Sequence, residues 1–406
     1  MREQGALPLH GVRVLACELL VALPFGTQIL ADLGADVIGI EHYDYRDDTD
    51  SRWRLRTGRH KRRISVNLRD PRGQELVRRL AGTIDIFAEN YRPGTMDRYG
   101  LGYARLSELH PGLVYVSMSG YGHADVLESP LSGNAAYGPI AVAKAGVAHI
   151  MGPPPEGTGT LALGDIVSTL FATVGMLAAL RDRERTGRGQ YVDVSMADSL
   201  LTLAERAILI HMLAQPPWSK EPAEPMPSGW GSFDLQARDG RYVLAIMESA
   251  DEAHRSKFCE LVGHPEWMAD PEIIESSTRR AAVRKKVIPV VNEWAATRSK
   301  FEVASLLSES GLAAAPVLTP EETLTEPHFR ARKMFEQVID EYGRETTVVG
   351  NPIKLSALEQ QRVDVTTRIA RPGEHTAQVL AEHLGLSGEQ IDELIAEGVV
   401  KQWCDR

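Results

Sequence analysis

A chain of 406 residues is longer than one typical hydrophobic core supports, so two domains, or one large domain with a lobe, are expected. Apolar content of 43% and charged content of 25% belong to a globular protein, and a net charge of −10 argues against general nucleic-acid binding. Three cysteines, Cys17, Cys259 and Cys404, are odd in number and far apart, which excludes a disulfide framework or a metal-ligand spacing and suits a reducing cytosol.

The first part of the chain alternates strands and helices. Val12-Arg-Val-Leu15 is a short strand, Pro24 suits a helix start, and 25–33 is helical, stopped by Gly34. Asp36-Val-Ile-Gly-Ile40 is the next strand, ending in Glu41. Asp70-Pro71 caps a helix over 72–80, and strands follow at 84–88 and 113–117. Strands interleaved with helices imply a parallel, doubly wound sheet, whose ligands bind at the carboxyl ends of the strands. Glu41 stands where dinucleotide-binding folds place a ribose-binding acid. Leu15-Ala-Cys-Glu-Leu-Leu-Val-Ala-Leu-Pro24 contains no G-x-G-x-x-G, however, which excludes a nicotinamide dehydrogenase.

Asp165 follows Gly164 and opens the run Ile166-Val-Ser-Thr-Leu-Phe-Ala-Thr-Val-Gly-Met-Leu-Ala-Ala-Leu180, which reads as a buried helix. A carboxylate in its first turn meets orphan N–H groups and the positive end of the helix dipole, so it should be ionised at neutral pH. Such a carboxylate is either an ordinary N-cap or a presented nucleophile. A turn and strand follow at 186–195, and a second helix from about Ala197 to His211. Gln215–Gly229 is proline-rich and marks a domain boundary. Beyond it, Phe233–Gln236 and Arg241–Ile246 form a hairpin around Asp239-Gly240, helical segments run through Ser308, and Ala314–Val317 is a short strand. Two helices, 374–384 and 387–397, end the chain.

Five blocks in order then resemble the family III coenzyme A transferases, which include formyl-CoA:oxalate and carnitine CoA-transferases. They are Ala31-Asp-Leu-Gly-Ala-Asp-Val-Ile38 with Glu41; Asp85–Gly94 with Leu101-Gly-Tyr103; His110–Gly122; Gly164-Asp165 with Thr186-Gly-Arg-Gly-Gln190; and Gly373-Glu-His-Thr376 with Gly398-Val-Val400. The resemblance implies an α/β fold: a Rossmann-like large domain with a parallel sheet and a smaller α+β domain, in an interlocked, ring-like homodimer. On this chain it implies a large-domain segment at 1–214, a linker at 215–230, a small domain at 231–326, and a return linker and second large-domain segment at 327–406.

For chemistry, the resemblance implies CoA transfer between two carboxylic acids, with Asp165 as the covalent carrier through an aspartyl anhydride and an aspartyl-CoA thioester. By position, Val21 and Ala22 would lie beside the thiol end of CoA. Arg69 would lie near its phosphates, and Asn90, Tyr91 and Arg98 along its adenosine end. His42 falls where some members place an arginine. Tyr137, Gly138, Gly229, Trp230 and Gly231 would shape the acyl pocket, the last three within a glycine-bearing loop, Ser228–Gly231, that otherwise reads as an interdomain turn. The crowded cations Arg52, Arg54, Arg56, Arg59, Lys61, Arg62 and Arg63 read either as a solvated, self-neutralising surface loop or as partners for CoA phosphates.

The implied partners are acyl-CoA and a carboxylic acid as substrates, with no permanently bound cofactor, no metal, no nucleic acid and no membrane. MREQGALPLHGVRV lacks a signal-peptide core and no stretch is long and apolar enough to span a bilayer, which points to the cytoplasm. The alternatives are an acyl-CoA racemase or isomerase of the same fold, including intramolecular CoA migration, and a non-catalytic CoA-binding protein. The racemase pairs its aspartate with a histidine, and here Tyr137 stands at that histidine's place, with no histidine from 124 to 147. His123 and His149 are out of register and read as structural or exposed.

Overall fold

The computed structural model describes residues 7–44, 52–151, 161–213, 230–247, 251–356 and 367–403. The chain divides into two compact units, Met1–Leu209 with Ala331–Arg406, and Ile210–Arg330. The proline-rich segment 215–229 lies outside the described residues.

The first unit is built on β1 Arg13–Cys17, β2 Asp36–His42, β3 Lys61–Val66, β4 Ile86–Glu89, β5 Val114–Ser119 and β6 Tyr191–Ser195. These six strands are parallel and lie side by side in the order 3-2-1-4-5-6, with Leu15 opposite Ile38 on one side and Phe87 on the other. β1, β4 and β5 are buried on both faces, which accounts for their unbroken runs of apolar residues. The helix Ala22–Asp32 begins earlier than expected, with Pro24 inside its first turn, where a missing N–H costs nothing. Asp70 caps the helix Pro71–Ala81 by accepting from the Arg72 N–H at 2.8 Å.

β3 corrects the sequence reading. The basic stretch is not a surface loop: it forms the short helix Arg52–Thr57 and then a strand inside the sheet, with Arg59, Lys61 and Arg63 buried. Acidic partners distant in sequence make this possible. Arg59 pairs with Asp32 at 2.5 Å, Arg54 with Glu341 at 2.7 Å, Arg63 with Glu41, and Arg62 with Asp36 and with Glu382 at 2.7 Å. Lys61 Nζ donates to Glu18 Oε1 at 2.6 Å, Thr27 Oγ1 at 2.7 Å and the Pro24 carbonyl at 2.9 Å. Thr27 Oγ1 closes the set by donating to Glu18 Oε2 at 2.5 Å. Glu41 is therefore the partner of a strand arginine.

The helix Leu163–Thr186 also departs from expectation. It spans 24 residues and by length and composition could cross a membrane, because its apolar run starts before Ile166. One face, Ser168, Thr169, Ala172, Thr173, Met176 and Ala179, is buried, whereas Leu170, Phe171 and Val174 are exposed. It is buried on one side only. That side packs on Ala22–Asp32 so closely that a Cβ on Gly26 would stand 2.8 Å from Thr169 Oγ1.

β7 Ser232–Gln236, β8 Tyr242–Ile246 and β9 Ala313–Pro316 form an antiparallel sheet in the second unit, backed by helices around Phe258, Trp267, Val291 and Leu307. In the first unit, β10 Phe335–Ile339, β11 Glu345–Val349 and β12 Thr367–Arg368 make a small mixed sheet. β13 Val400–Lys401 runs antiparallel to β3 and extends the large sheet.

Lys61→Met should lower stability by about 3–5 kcal/mol, because it leaves the Glu18 carboxylate buried without its cation. The midpoint of urea denaturation measures it, and a loss below ~1 kcal/mol would show that water reaches Glu18.

Candidate active site

Strand order reverses between β1 and β4, so the crevice beyond their carboxyl ends is the expected ligand position. The turn leaving β1 carries Leu20 at a φ of 60°, an uncommon conformation for a residue with a side chain. Asn90, just after β4, holds that turn. Its Oδ1 accepts from the Leu19 N–H at 2.7 Å and its Nδ2 donates to the Leu19 carbonyl at 3.0 Å. The helix Leu163–Thr186 reaches the same place, since Thr169 Oγ1 donates to the Ala22 carbonyl at 2.6 Å. Asp165 lies one helical turn before that contact.

Asp165 is not an N-cap. The helix starts at Leu163 after Ala162, whose φ is 47°, and no side chain caps it. Asp165 is the third helical residue and is half-buried. A Cβ on Gly138 would stand 3.2 Å from Asp165 Oδ2, and a Cβ on Gly164 only 2.6 Å from Gly138 Cα. Glycine at both positions thus lets two backbone segments touch beside the carboxylate. Gly138 opens the helix Gly138–Lys144, so its N–H has no partner within that helix.

The charge balance at Asp165 differs from the sequence argument. Burial is the larger influence and raises its pKa above the ordinary aspartate value; the nearby Arg56 guanidinium opposes it. Desolvation outweighs the favourable influence of the guanidinium. The raised value means that the folded chain favours the protonated carboxyl, so ionising it costs stability as pH rises through that value. Arg56 had been counted only within the basic run. Its helix puts it on a different side from Arg54, because residues two apart on a helix do not share a face. The guanidinium lies 5.4 Å from the Phe25 ring centroid.

The other expected site residues are scattered in their roles. Val21 and Ala22 are buried, and the Ala22 carbonyl is taken by Thr169. Arg69 is exposed and paired with Asp44 at 2.7 Å, and exposed Arg98 donates to Thr95 Oγ1 at 3.0 Å. Tyr91 is half-buried, with burial raising its hydroxyl pKa. Both amide groups of Asn90 bond to Leu19, so its side chain builds the turn at the end of β1. Tyr137, directly before Gly138, is 60% exposed. Trp230 is buried in the second unit against Phe258, so within that unit its ring serves the core; Gly231 follows at a φ of 91°. Gly229 lies outside the described residues, as does the side chain of His42.

A cavity of about 430 Å³ lies away from Asp165, lined by Glu89, Met96, Tyr103, Tyr115, His123 and Tyr191 among others. Within it Ser117 Oγ joins Glu89 to His123 Nε2, the latter at 2.6 Å. Burial raises the Glu89 pKa to about 7 and lowers that of His123. These are buried groups satisfying one another, with no residue in common with the Asp165 region. Asp36, Glu382 and His383 are close enough together to hold a cation, but the Arg62 guanidinium already sits among them.

Comparison with known proteins bears on the whole chain. The model of CoA-transferase family III matches residues 9–376. The formyl-CoA:oxalate CoA-transferase of Streptomyces coelicolor is 32% identical over 97% of this chain and 100% of its own length. The beta subunit of the succinyl-CoA–L-malate CoA-transferase of Chloroflexus aurantiacus is 29% identical over 97% and 98%. A CaiB/BaiF family protein from Brucella suis superposes with a TM-score of 0.74 at 27% identity, over 93% of this chain and all of that one. A protein from Mycobacterium tuberculosis gives 0.76 at 26% identity over 93% and 100%. An α/β chain with this strand order, matched from near one end to the other, belongs to CoA-transferase family III and is an enzyme of the CoA-transferase type.

Proposed function

We propose that the chain moves coenzyme A from an acyl-CoA to a second carboxylic acid, with Asp165 as the covalent carrier. The observation that carries this reading is the Asp165 carboxylate itself: half-buried, uncapped, and adjoining the Gly138–Gly164 contact at the carboxyl end of the sheet. One Asp165 oxygen attacks the thioester carbonyl. A C–O bond forms, the C–S bond breaks, and CoA thiolate leaves an acyl-aspartyl anhydride. The thiolate then attacks the aspartyl carbonyl, which gives the aspartyl-CoA thioester and frees the first acid as its carboxylate. The second carboxylate enters by the reverse steps. No proton has to move, so no general acid or base is required. In this reading the Gly138 N–H, free of any partner within its helix, stabilises the oxyanions.

Arg69 and Arg98 are both exposed; Arg69 suits the phosphates of the coenzyme, exchanging Asp44 for a phosphate oxygen, and Arg98 suits its adenosine end. A racemase would need a second acid–base group opposite Asp165. Tyr137 is poorly suited to that, and His123 is committed to Ser117. The unpaired, buried thiols of Cys17 and Cys259 suit a reducing cytoplasm. The reading includes an interlocked homodimer. It is supported by the apolar side chains left in solvent along Leu163–Thr186, Phe171 at 46% and Val174 at 64% exposure, together with Leu201 and Leu203 on the next helix.

Incubation with an acyl-CoA and hydroxylamine should leave a hydroxamate on Asp165, detectable by peptide mass spectrometry. Asp165→Ala should lose both the mark and transfer, by about 10⁴-fold or more; a variant that still transfers would dismiss the mechanism. Because Asp165 must be ionised to attack and its pKa is raised, the acid limb of kcat/KM should lie above the ordinary aspartate value of about 3.9. A limb at or below that value would contradict the desolvated nucleophile. Sedimentation at micromolar concentration should detect dimer only, and a folded monomer there would refute interlocking.

A further inference from the structure

We propose that Arg56 is the residue that receives the incoming acid, holding its carboxylate against Asp165 while Asp165 carries coenzyme A. This rests on the transferase reading above and adds to it a named acceptor site. The first observation is one of pairing. Among Arg54, Arg56, Arg59, Lys61, Arg62 and Arg63, every cation but one has a carboxylate partner: Glu341, Asp32, Glu18, Asp36 with Glu382, and Glu41. Arg56 has none among the described residues, although it is half-buried, and an unpaired guanidinium in such a place is costly.

The second observation is place. The Arg56 guanidinium lies over Phe25, in the first turn of Ala22–Asp32. The carbonyl of Ala22 in that turn is the one bound by Thr169, one helical turn from Asp165. Arg56 and Asp165 therefore converge on the same turn, near enough for the positive charge to act on the carboxylate, yet with no ion pair between them.

The chemistry says which group. In the resting enzyme the Asp165 carboxylate offsets the Arg56 charge. Once Asp165 is a CoA thioester that negative charge is gone, and the guanidinium is left uncompensated. The next reactant is by definition a carboxylate. A guanidinium can hold one of its oxygens and leave the other free. The free oxygen forms the new C–O bond to the aspartyl carbonyl, the C–S bond breaks, and CoA leaves as the thiolate with no proton transferred. The cation, which has no ion pair among the described residues, thus loses even the distant Asp165 charge at the stage when an anion must enter.

The test compares an anionic with a neutral acceptor on the same acylated enzyme. An acyl-CoA that marks Asp165 is paired with its own isotopically labelled free acid, as succinyl-CoA with succinate or formyl-CoA with formate. Exchange of label into the thioester measures carboxylate entry, and hydroxylamine, which is uncharged, measures reactivity of the acylated aspartate. Arg56→Met should raise the KM of the free acid in exchange by about 10- to 100-fold, the effect of losing a charge-assisted hydrogen bond, with a much smaller change in hydroxylamine trapping. Arg56→Lys should recover part of the affinity, which a merely structural role would not. If Arg56→Met folds and slows both acceptors equally, or leaves the KM of the acid unchanged, the inference fails while the transferase reading stands. If the wild-type enzyme forms no hydroxamate at Asp165, the transferase reading falls first and this one with it.

Discussion

A lysine ammonium sealed inside the first unit governs the geometry of the site. Lys61 on β3 has no water to turn to. Three acceptors replace it: the Glu18 carboxylate, the Thr27 hydroxyl and the Pro24 carbonyl. Burial lowers the Lys61 pKa and Glu18 opposes that shift. Those acceptors come from the end of β1 and the first turns of Ala22–Asp32, so satisfying one charge fixes the chain as it leaves the sheet. Asn90 fixes the intervening turn through Leu19. The helix carrying Asp165 then rests on this fixed turn through Thr169 and the close approach at Gly26. The Asp165 carboxylate is thereby positioned by backbone contacts, with no hydrogen bond to its own oxygens among the described residues, which suits the attack proposed above.

A covalent carrier must gain and lose a negative charge within each cycle, and its surroundings must tolerate both states. Full burial would hold the carboxyl protonated, and a direct ion pair would blunt its oxygens. Here the opposing influences are desolvation and one cation at a distance. The barrier left for the protein to lower lies in the tetrahedral oxyanions, because exchanging one thioester for another is nearly balanced in energy. Backbone at Gly138, brought against the carboxylate because neither it nor Gly164 carries a side chain, supplies that stabilisation in the reading proposed above.

Much of the sheet was legible from local pattern. β1, β2, β4 and β5 are short apolar runs bounded by glycine, proline or acid, and Asp239-Gly240 between alternating residues marks the β7–β8 hairpin. β3 was not legible, because Lys61-Arg-Arg carries the composition of a loop. Its charges are neutralised by Glu18, Asp36 and Glu41, residues that only the folded sheet brings together. The helix over 163–186 was visible, but its second face was not: nothing in a uniformly apolar run says that Phe171 and Val174 stay in solvent. Gly164-Asp165 stood out at once. That Gly138 is what Gly164 accommodates, and that Arg56 has no acidic partner among the described residues whereas Arg54, Arg59, Lys61, Arg62 and Arg63 have one, depends on contacts between distant segments that no spacing encodes. Asn90 illustrates the converse, a residue that resemblance assigns to ligand and whose hydrogen bonds to Leu19, invisible in the sequence, also build the turn.

The claim at the centre is that Asp165 exchanges oxygen with each acid that passes through the enzyme. Turnover with an acceptor acid whose carboxylate carries heavy oxygen measures this directly. When the anhydride opens at the substrate carbonyl, its bridging oxygen stays on the aspartate. The peptide containing Asp165 should therefore gain the isotope within the first few turnovers, up to two heavy oxygens, and the donor acid should leave with an oxygen taken from Asp165. An Asp165 that remains unlabelled after many turnovers, in an enzyme that is transferring coenzyme A, would contradict the account.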